Sequence, residues 1–233
     1  NIFNVKNNTF THKNHVPDDA FSLSSNDLTT VFVDHTGDIW IGTQANGLDK
    51  VDSDFDKFHH YNKKANDESS LSSNRVLSIY EDRFGILWIG TEVGLNKFDI
   101  LKQNFNHYFI DNLSIGGMSS NIIWSIHQDT EDRLWLGTNE GLIQYDRELE
   151  TYELYIPNIS VGGNKKNTSI YDIFVDENQT IWLGTDGGLY QFDERSKRFS
   201  HYSFGGQQIS RSCGCPLNSS LVSRRCWRRR LSG

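Results

Sequence analysis

The chain has 233 residues and a formal net charge of -7, but all 30 Asp and Glu precede residue 207 while six of the 23 Lys and Arg follow it. Residues 1–206 therefore carry 17 basic against 30 acidic side chains and no clustered basic patch, which argues against a nucleic-acid partner. No run of about 18 apolar residues is present to span a bilayer, and the three cysteines all lie after residue 206, so the body has no disulfide framework.

Read in order, the chain opens within a repeat. Phe3 and Phe10 stand seven residues apart in the same frame as Val51 and Phe58, Phe98 and Phe105, Tyr145 and Tyr152, and Phe192 and Phe199. Because the first residue already lies inside this pattern, the lack of signal-peptide order at the N-terminus carries no information on targeting. Four full units follow, closing on Tyr61, Tyr108, Tyr155 and Tyr202, each 47 residues after the last. Every unit has the same grammar. An Asn or Thr (Asn26, Asn74, Asn121, Thr168) precedes an Asp by eight residues (Asp34, Asp82, Asp129, Asp176), and a tryptophan follows six residues later (Trp40, Trp88, Trp135, Trp182). A Gly-Thr pair comes next, then Gly-Leu, then a closing segment.

These pieces predict four short antiparallel strands per unit. The first is β-branched and apolar, as in residues 76–81. The Asp-x-x-Gly turn that follows offers side-chain hydrogen bonding and a residue at ease with positive φ, although the third and fourth units put Asp132 and Gln179 where Gly37 and Gly85 stand. No segment sustains a helical apolar stripe with caps. Four strands in about 47 residues is the size of a propeller blade. The expectation is an all-β β-propeller fragment: the outer half of a preceding blade at residues 1–14, then blades at 15–61, 62–108, 109–155 and 156–206.

Residues 207–233 break the pattern. They contain Cys213, Cys215, Cys226, six arginines and no acid, and read as a shifted frame, a fusion scar or a misplaced gene end, a disordered tail outside the fold. Without that tail the arc has no residues to complete its half blade, so exposed blade faces are expected at both ends.

A recurring tryptophan is a packing device before it is a site. It buries some 150 to 250 Å², about 4 to 6 kcal/mol of gross transfer free energy at about 25 cal/mol/Å². Trp40, Trp88, Trp135 and Trp182 are expected between blades, with the following glycine allowing a neighbouring backbone to approach.

Residues 23–26 and 71–74 (Leu-Ser-Ser-Asn), 78–82 (Ser-Ile-Tyr-Glu-Asp), 87–91 (Leu-Trp-Ile-Gly-Thr) and 94–99 (Gly-Leu-Asn-Lys-Phe-Asp) closely resemble the two-component regulator propeller repeat, and the likeness runs from residue 1 to about residue 204. The resemblance implies the ligand-sensing module of a membrane-anchored receptor, on the periplasmic or extracytoplasmic side. A histidine kinase or diguanylate cyclase elsewhere on the parent chain would carry the output, and the ligand would in many cases be an oligosaccharide. Partners on this reading are that ligand and the remaining blades and signalling domains, with no membrane contact by this segment. The alternative is a scaffold propeller for protein interaction or dimerisation, with no small-molecule ligand.

No catalytic constellation, cofactor motif or metal site is expected. His60, His107 and His201 occupy one slot on successive outer strands, too far apart to share an ion at about 2.0 to 2.1 Å. Cys213 and Cys215 lack the ligand count of a zinc site, and Asp34 to Asp38 could hold calcium but are accounted for by the turn. The functional signal lies where the copies disagree. Three residues after each unit's Asn or Thr stand Thr29, Leu77, Trp124 and Tyr171, while Val31, Ile79, Ile126 and Ile173 nearby keep one character. Trp124 and Tyr171 either fill a local gap or present flat faces to a ligand in the central channel, with Arg75 and Asp172 beside them as further candidates.

Overall fold

The computed structural model describes residues 1–52, 55, 57–108, 121–157, 159–161, 164–166 and 168–202, those of 159–161 and 164–166 by backbone only. The tail at 207–233 and the expected opening of the third unit at residue 109 lie outside the described residues.

Among them the regular structure is all strand. Four antiparallel sheets of four strands each are built in simple up-and-down order. The first comprises β3 (Leu28–Val33), β4 (Ile39–Thr43), β5 (Leu48–Val51) and β6 (His59–Tyr61), and the second β7 (Val76–Glu81), β8 (Leu87–Thr91), β9 (Gly94–Asp99) and β10 (Asn104–Tyr108). The third runs β11 (Ile123–Gln128), β12 (Leu134–Thr138), β13 (Leu142–Asp146), β14 (Thr151–Tyr155), and the fourth β17 (Ile170–Val175), β18 (Ile181–Thr185), β19 (Gly188–Asp193), β20 (Arg198–Tyr202). Two-stranded sheets, β1 (Ile2–Asn4) with β2 (Thr9–Thr11) and β15 (Ile159–Val161) with β16 (Asn164–Lys166), complete the description. The innermost strands β3, β7, β11 and β17 lie against one another from sheet to sheet.

The motif Trp-(Ile/Leu)-Gly-Thr assigns one task to each conserved position of the repeat. Trp40 packs among Leu71, in the segment before β7, and Val76, Ile79 and Phe98 of the second sheet, Trp88 among Ile123, Ile126 and Tyr145 of the third, and Trp135 among Ile170, Ile173 and Phe192 of the fourth. These three are buried; Trp182 is only half-buried, because among the described residues no sheet lies beyond it. The glycine leaves room for the next inner strand. A Cβ on Gly90 would stand 2.8 Å from the Ile123 carbonyl oxygen and one on Gly137 2.7 Å from that of Ile170, so any side chain there would push two sheets apart. The threonine hydroxyl closes the following hairpin, donating to Gly47, Gly94, Gly141 or Gly188 O at 2.8 to 3.0 Å.

The aspartate six residues before each tryptophan ties the turn to the packing. One oxygen of Asp82 accepts from the Phe84 and Ile86 amides at 2.9 Å, and the other accepts from the Trp88 indole at 2.9 Å. Asp34, Asp129 and Asp176 do the same for Trp40, Trp135 and Trp182 at 2.8, 2.9 and 3.0 Å. The six-residue spacing is thus the reach of one carboxylate from a hairpin to the face of its sheet. With the Asp34 oxygens committed to this network and Asp38 paired to Lys50 at 2.6 Å, the turn uses the groups that calcium would need.

All four turns place their fourth residue in the left-handed region: Gly37 at φ 92°, Gly85 at 76°, Asp132 at 67° and Gln179 at 63°. Asp132 returns something for that strain through Arg83 at 2.9 Å and Gln128 at 2.9 Å. Among the described residues the Gln179 side chain has no such partner, so Gln179→Gly is expected to stabilise the chain by up to about 1 kcal/mol in urea unfolding. A loss of stability would show that the Gln179 side chain does more than occupy the turn.

Candidate functional site

Each innermost strand begins with a break in its ladder. In the first sheet Leu28 pairs with Thr43 but Thr30 with Gly42; the second skips from Val76 to Ser78, the third from Ile123 to Ser125 and the fourth from Ile170 to Asp172. The residues passed over are Thr29, Leu77, Trp124 and Tyr171. The slot at which the copies disagree is therefore a β-bulge in every sheet. A bulge residue has no partner in the ladder and its side chain is re-aimed, which is why such positions can hold any size of side chain and gather beside sites.

What fills the bulge differs along the arc. Thr29 and Leu77 are buried, and the Thr29 hydroxyl donates to the Val76 carbonyl of the next sheet at 2.5 Å. Trp124 and Tyr171 are half-buried. Their rings meet edge to face, centroids 5.2 Å apart at 72°. The Arg75 guanidinium lies over Trp124 at 5.8 Å, a cation–π distance. The indole of Trp124 donates to Asn139 Oδ1 at 2.5 Å. Three successive sheets thus bring Arg75, Trp124 and Tyr171 to the end of the inner strands at which those strands begin.

Polar groups continue around the aromatic pair. Glu92 faces Arg75 at 3.7 Å and accepts from the Ser73 hydroxyl at 2.9 Å, while Ser169 donates to the Asn139 carbonyl at 3.4 Å and accepts the Asp186 amide at 3.3 Å on its own carbonyl. Glu92, Asn139 and Asp186 occupy one slot, the residue after the motif threonine, held by Gln44 in the first unit. The sequence reading passed over that slot, although its variation from copy to copy is the same signal that marks Trp124 and Tyr171. Asp172 belongs to the ladder itself. It is buried, pairs across the sheet with Gly184 as Ser78 does with Gly90 and Ser125 with Gly137, and its Oδ1 accepts from the Ile173 amide at 3.0 Å.

The histidines of the outer strands are tied locally. His60 meets Asp49 at 2.7 Å, His107 the Ser70 carbonyl at 2.6 Å, and His201 the Gly187 carbonyl at 3.2 Å. Among the described residues no three His, Cys, Asp or Glu side chains gather as metal ligands.

Up-and-down four-stranded sheets, joined through their inner strands and repeated around an arc, define the β-propeller class. The repeats belong to a particular family: the two component regulator propeller matches residues 22–45, 70–93, 117–140 and 164–187, in each case across the bulge, the Asp turn and the Trp-Gly-Thr strand. Among solved structures, the chain is similar to the extracellular domain of BT3049 from B. thetaiotaomicron, described as a hybrid two component system. The two are 25% identical, with a TM-score of 0.67 over 81% of this chain and 25% of that one. The extracellular domain of BT4673 from the same organism, described as a one component system, is similar in fold at 22% identity, TM-score 0.65, over 84% of this chain and 24% of that one. Virginiamycin B lyase from Staphylococcus aureus shares the fold alone, at 11% identity and a TM-score of 0.60 over 84% of this chain and 60% of that one. The chain thus spans about a quarter of the length of the two B. thetaiotaomicron domains. No curated protein matches it.

Proposed function

We propose that this chain is a sensing module from the extracytoplasmic part of a two-component-type receptor, and that it binds a small ligand, an oligosaccharide, without transforming it. The observation that carries the binding reading is the convergence of Arg75, Trp124 and Tyr171 where three successive inner strands begin. Aromatic faces rimmed by carboxylate and amide groups suit a sugar ring, whose C–H face stacks and whose hydroxyls need polar partners. The extracellular placement of the similar B. thetaiotaomicron domains supports the location. Kinase or cyclase output would belong to other parts of the parent chain.

The test is a thermal-shift and calorimetric screen of the chain against neutral and charged oligosaccharides. Binding to the native state alone raises stability by RT ln(1 + [L]/Kd), about 2.7 kcal/mol at a hundredfold excess over Kd. Trp124→Ala and Tyr171→Ala are each expected to weaken a hit at least about tenfold, about 1.4 kcal/mol. Unchanged affinity in both variants would move the ligand elsewhere, and turnover in the same samples would replace sensing by catalysis.

A further inference from the structure

The rim of the aromatic site holds two polar atoms that the fold leaves without partners. Arg75 Nε–H, a donor, and Gln44 Oε1, an acceptor, are both shielded from water and make no hydrogen bond among the described residues, with each other included. They stand on neighbouring segments. Gln44 follows the motif threonine of the first sheet, and the hairpin it opens is bonded to the residue before Arg75, Gly47 N donating to the Asn74 carbonyl at 2.8 Å. A donor and an acceptor withdrawn from water without partners are costly. Both side chains are only half-buried, so each has room to turn its head group toward a molecule at the rim.

The charges at the same rim are unequal. Against the positive charge of Arg75 stand two exposed carboxylates: Glu92, 3.7 Å from the guanidinium, and Asp186, in the slot that Gln44 and Asn139 hold in the first and third sheets. Glu92 offsets Arg75, and Asp186 leaves the rim negative.

We propose that this site takes an uncharged, hydroxyl-rich sugar held by Gln44 and Arg75, and that Glu92 and Asp186 exclude the acidic counterparts, the uronates; the inference rests on the sugar-binding reading above. A hydroxyl accepts from Arg75 Nε–H and donates to Gln44 Oε1, so one such group, or two neighbouring ones on a sugar ring, answers both unpartnered atoms. A carboxylate answers only one. It can accept from Arg75 but has no proton for Gln44, and it must compete with Glu92 for the guanidinium while lying near Asp186. Selectivity is thereby built from repulsion as well as from fit. Through Gln44 the first sheet joins a site that otherwise draws on the second, third and fourth.

Calorimetric titration of the whole chain with gluco-, galacto- and mannotrioses and with their uronate counterparts tests this. At least one neutral sugar should bind, and its uronate counterpart at least about tenfold more weakly. Glu92→Gln keeps an acceptor for the Ser73 hydroxyl but frees Arg75, and should shrink that ratio to about threefold or less. Gln44→Met, similar in length but without the acceptor, should weaken the neutral sugar about tenfold. Its circular dichroism should match the wild type and its unfolding midpoint should not fall, a pattern that a purely structural role would not give. A uronate held as tightly as its neutral counterpart overturns the selectivity while leaving sugar binding in place, and so does a ratio that Glu92→Gln leaves unmoved. A neutral sugar bound equally well by Gln44→Met takes Gln44 out of the site and overturns its part in the proposal. If neither set binds, the sugar-binding reading falls and this inference with it.

Discussion

Trp88→Ala is expected to cost about 3 to 5 kcal/mol in urea unfolding, the range for removing a fully buried aromatic side chain. Trp88 lies between two sheets, beside Tyr108 at 5.6 Å and Tyr145 at 6.3 Å, with Ile123, Ile126 and Leu134 around it. Lys97 at 5.8 Å and Arg147 at 5.9 Å cover its face, so deletion also exposes the stems of two cations. The cavity cannot collapse cheaply, because the sheets on both sides are held by their own ladders. Trp182→Ala supplies the internal contrast: the same residue in the same motif, half-buried, should cost less, about 2 to 3 kcal/mol. Since repeat arrays can unfold in parts, amide exchange should show the loss concentrated at the junction of the second and third sheets. A Trp88→Ala loss under about 1 kcal/mol would remove the packing role assigned to the motif.

Asp82→Ala should be comparably damaging, about 3 to 5 kcal/mol, through polar groups instead of volume. The substitution strips the acceptor from two turn amides and from the buried Trp88 indole. It also leaves the Arg147 guanidinium, 14% exposed, without the carboxylate it meets across the junction. Asp82→Asn keeps an acceptor for the turn but loses the charge for Arg147, and should fall between the two. If Asp82→Ala and Asp82→Asn both lie within about 0.5 kcal/mol of wild type, the carboxylate is not the tie between turn and junction. The equivalent Asp34 and Asp176 give the acid dependence of the same device. Burial pulls both carboxyls upward, but hydrogen bonds from the turn and from Trp40 or Trp182 outweigh it, so both sit below the ordinary 3.8. Their contribution is therefore whole above the unfolded carboxyl value and is lost as pH falls through the lowered folded one.

The period of 47 residues, the four strands of each unit and the turn after the first strand could all be read from residue order. Those features are local, set by alternation, β-branching and turn chemistry, and they repeat often enough for chance to be discounted. What the order of residues did not show is the bond between Asp82 and Trp88, which depends on how a hairpin folds back on its sheet. Nor did it show that Thr29, Leu77, Trp124 and Tyr171 are bulges; pairing register is a relation between strands, and the inner strands by themselves look regular. The variable slot was visible without its cause. Asp172 illustrates the limit from the other side: adjacent in sequence to Tyr171, it resumes the ladder opposite Gly184 while Tyr171 is left out of it.

The bulges also bear on how such a module changes over generations. A residue outside the ladder can be exchanged without moving any hydrogen bond of the sheet, so Thr29 and Trp124 occupy the same backbone with side chains of very different size. Mutation at the two half-buried points, Trp124 and Tyr171, samples new surfaces at little risk to folding, while the tryptophan, aspartate, glycine and threonine of each unit hold the frame. A scaffold of this kind can drift toward a new specificity through single substitutions, each intermediate remaining folded.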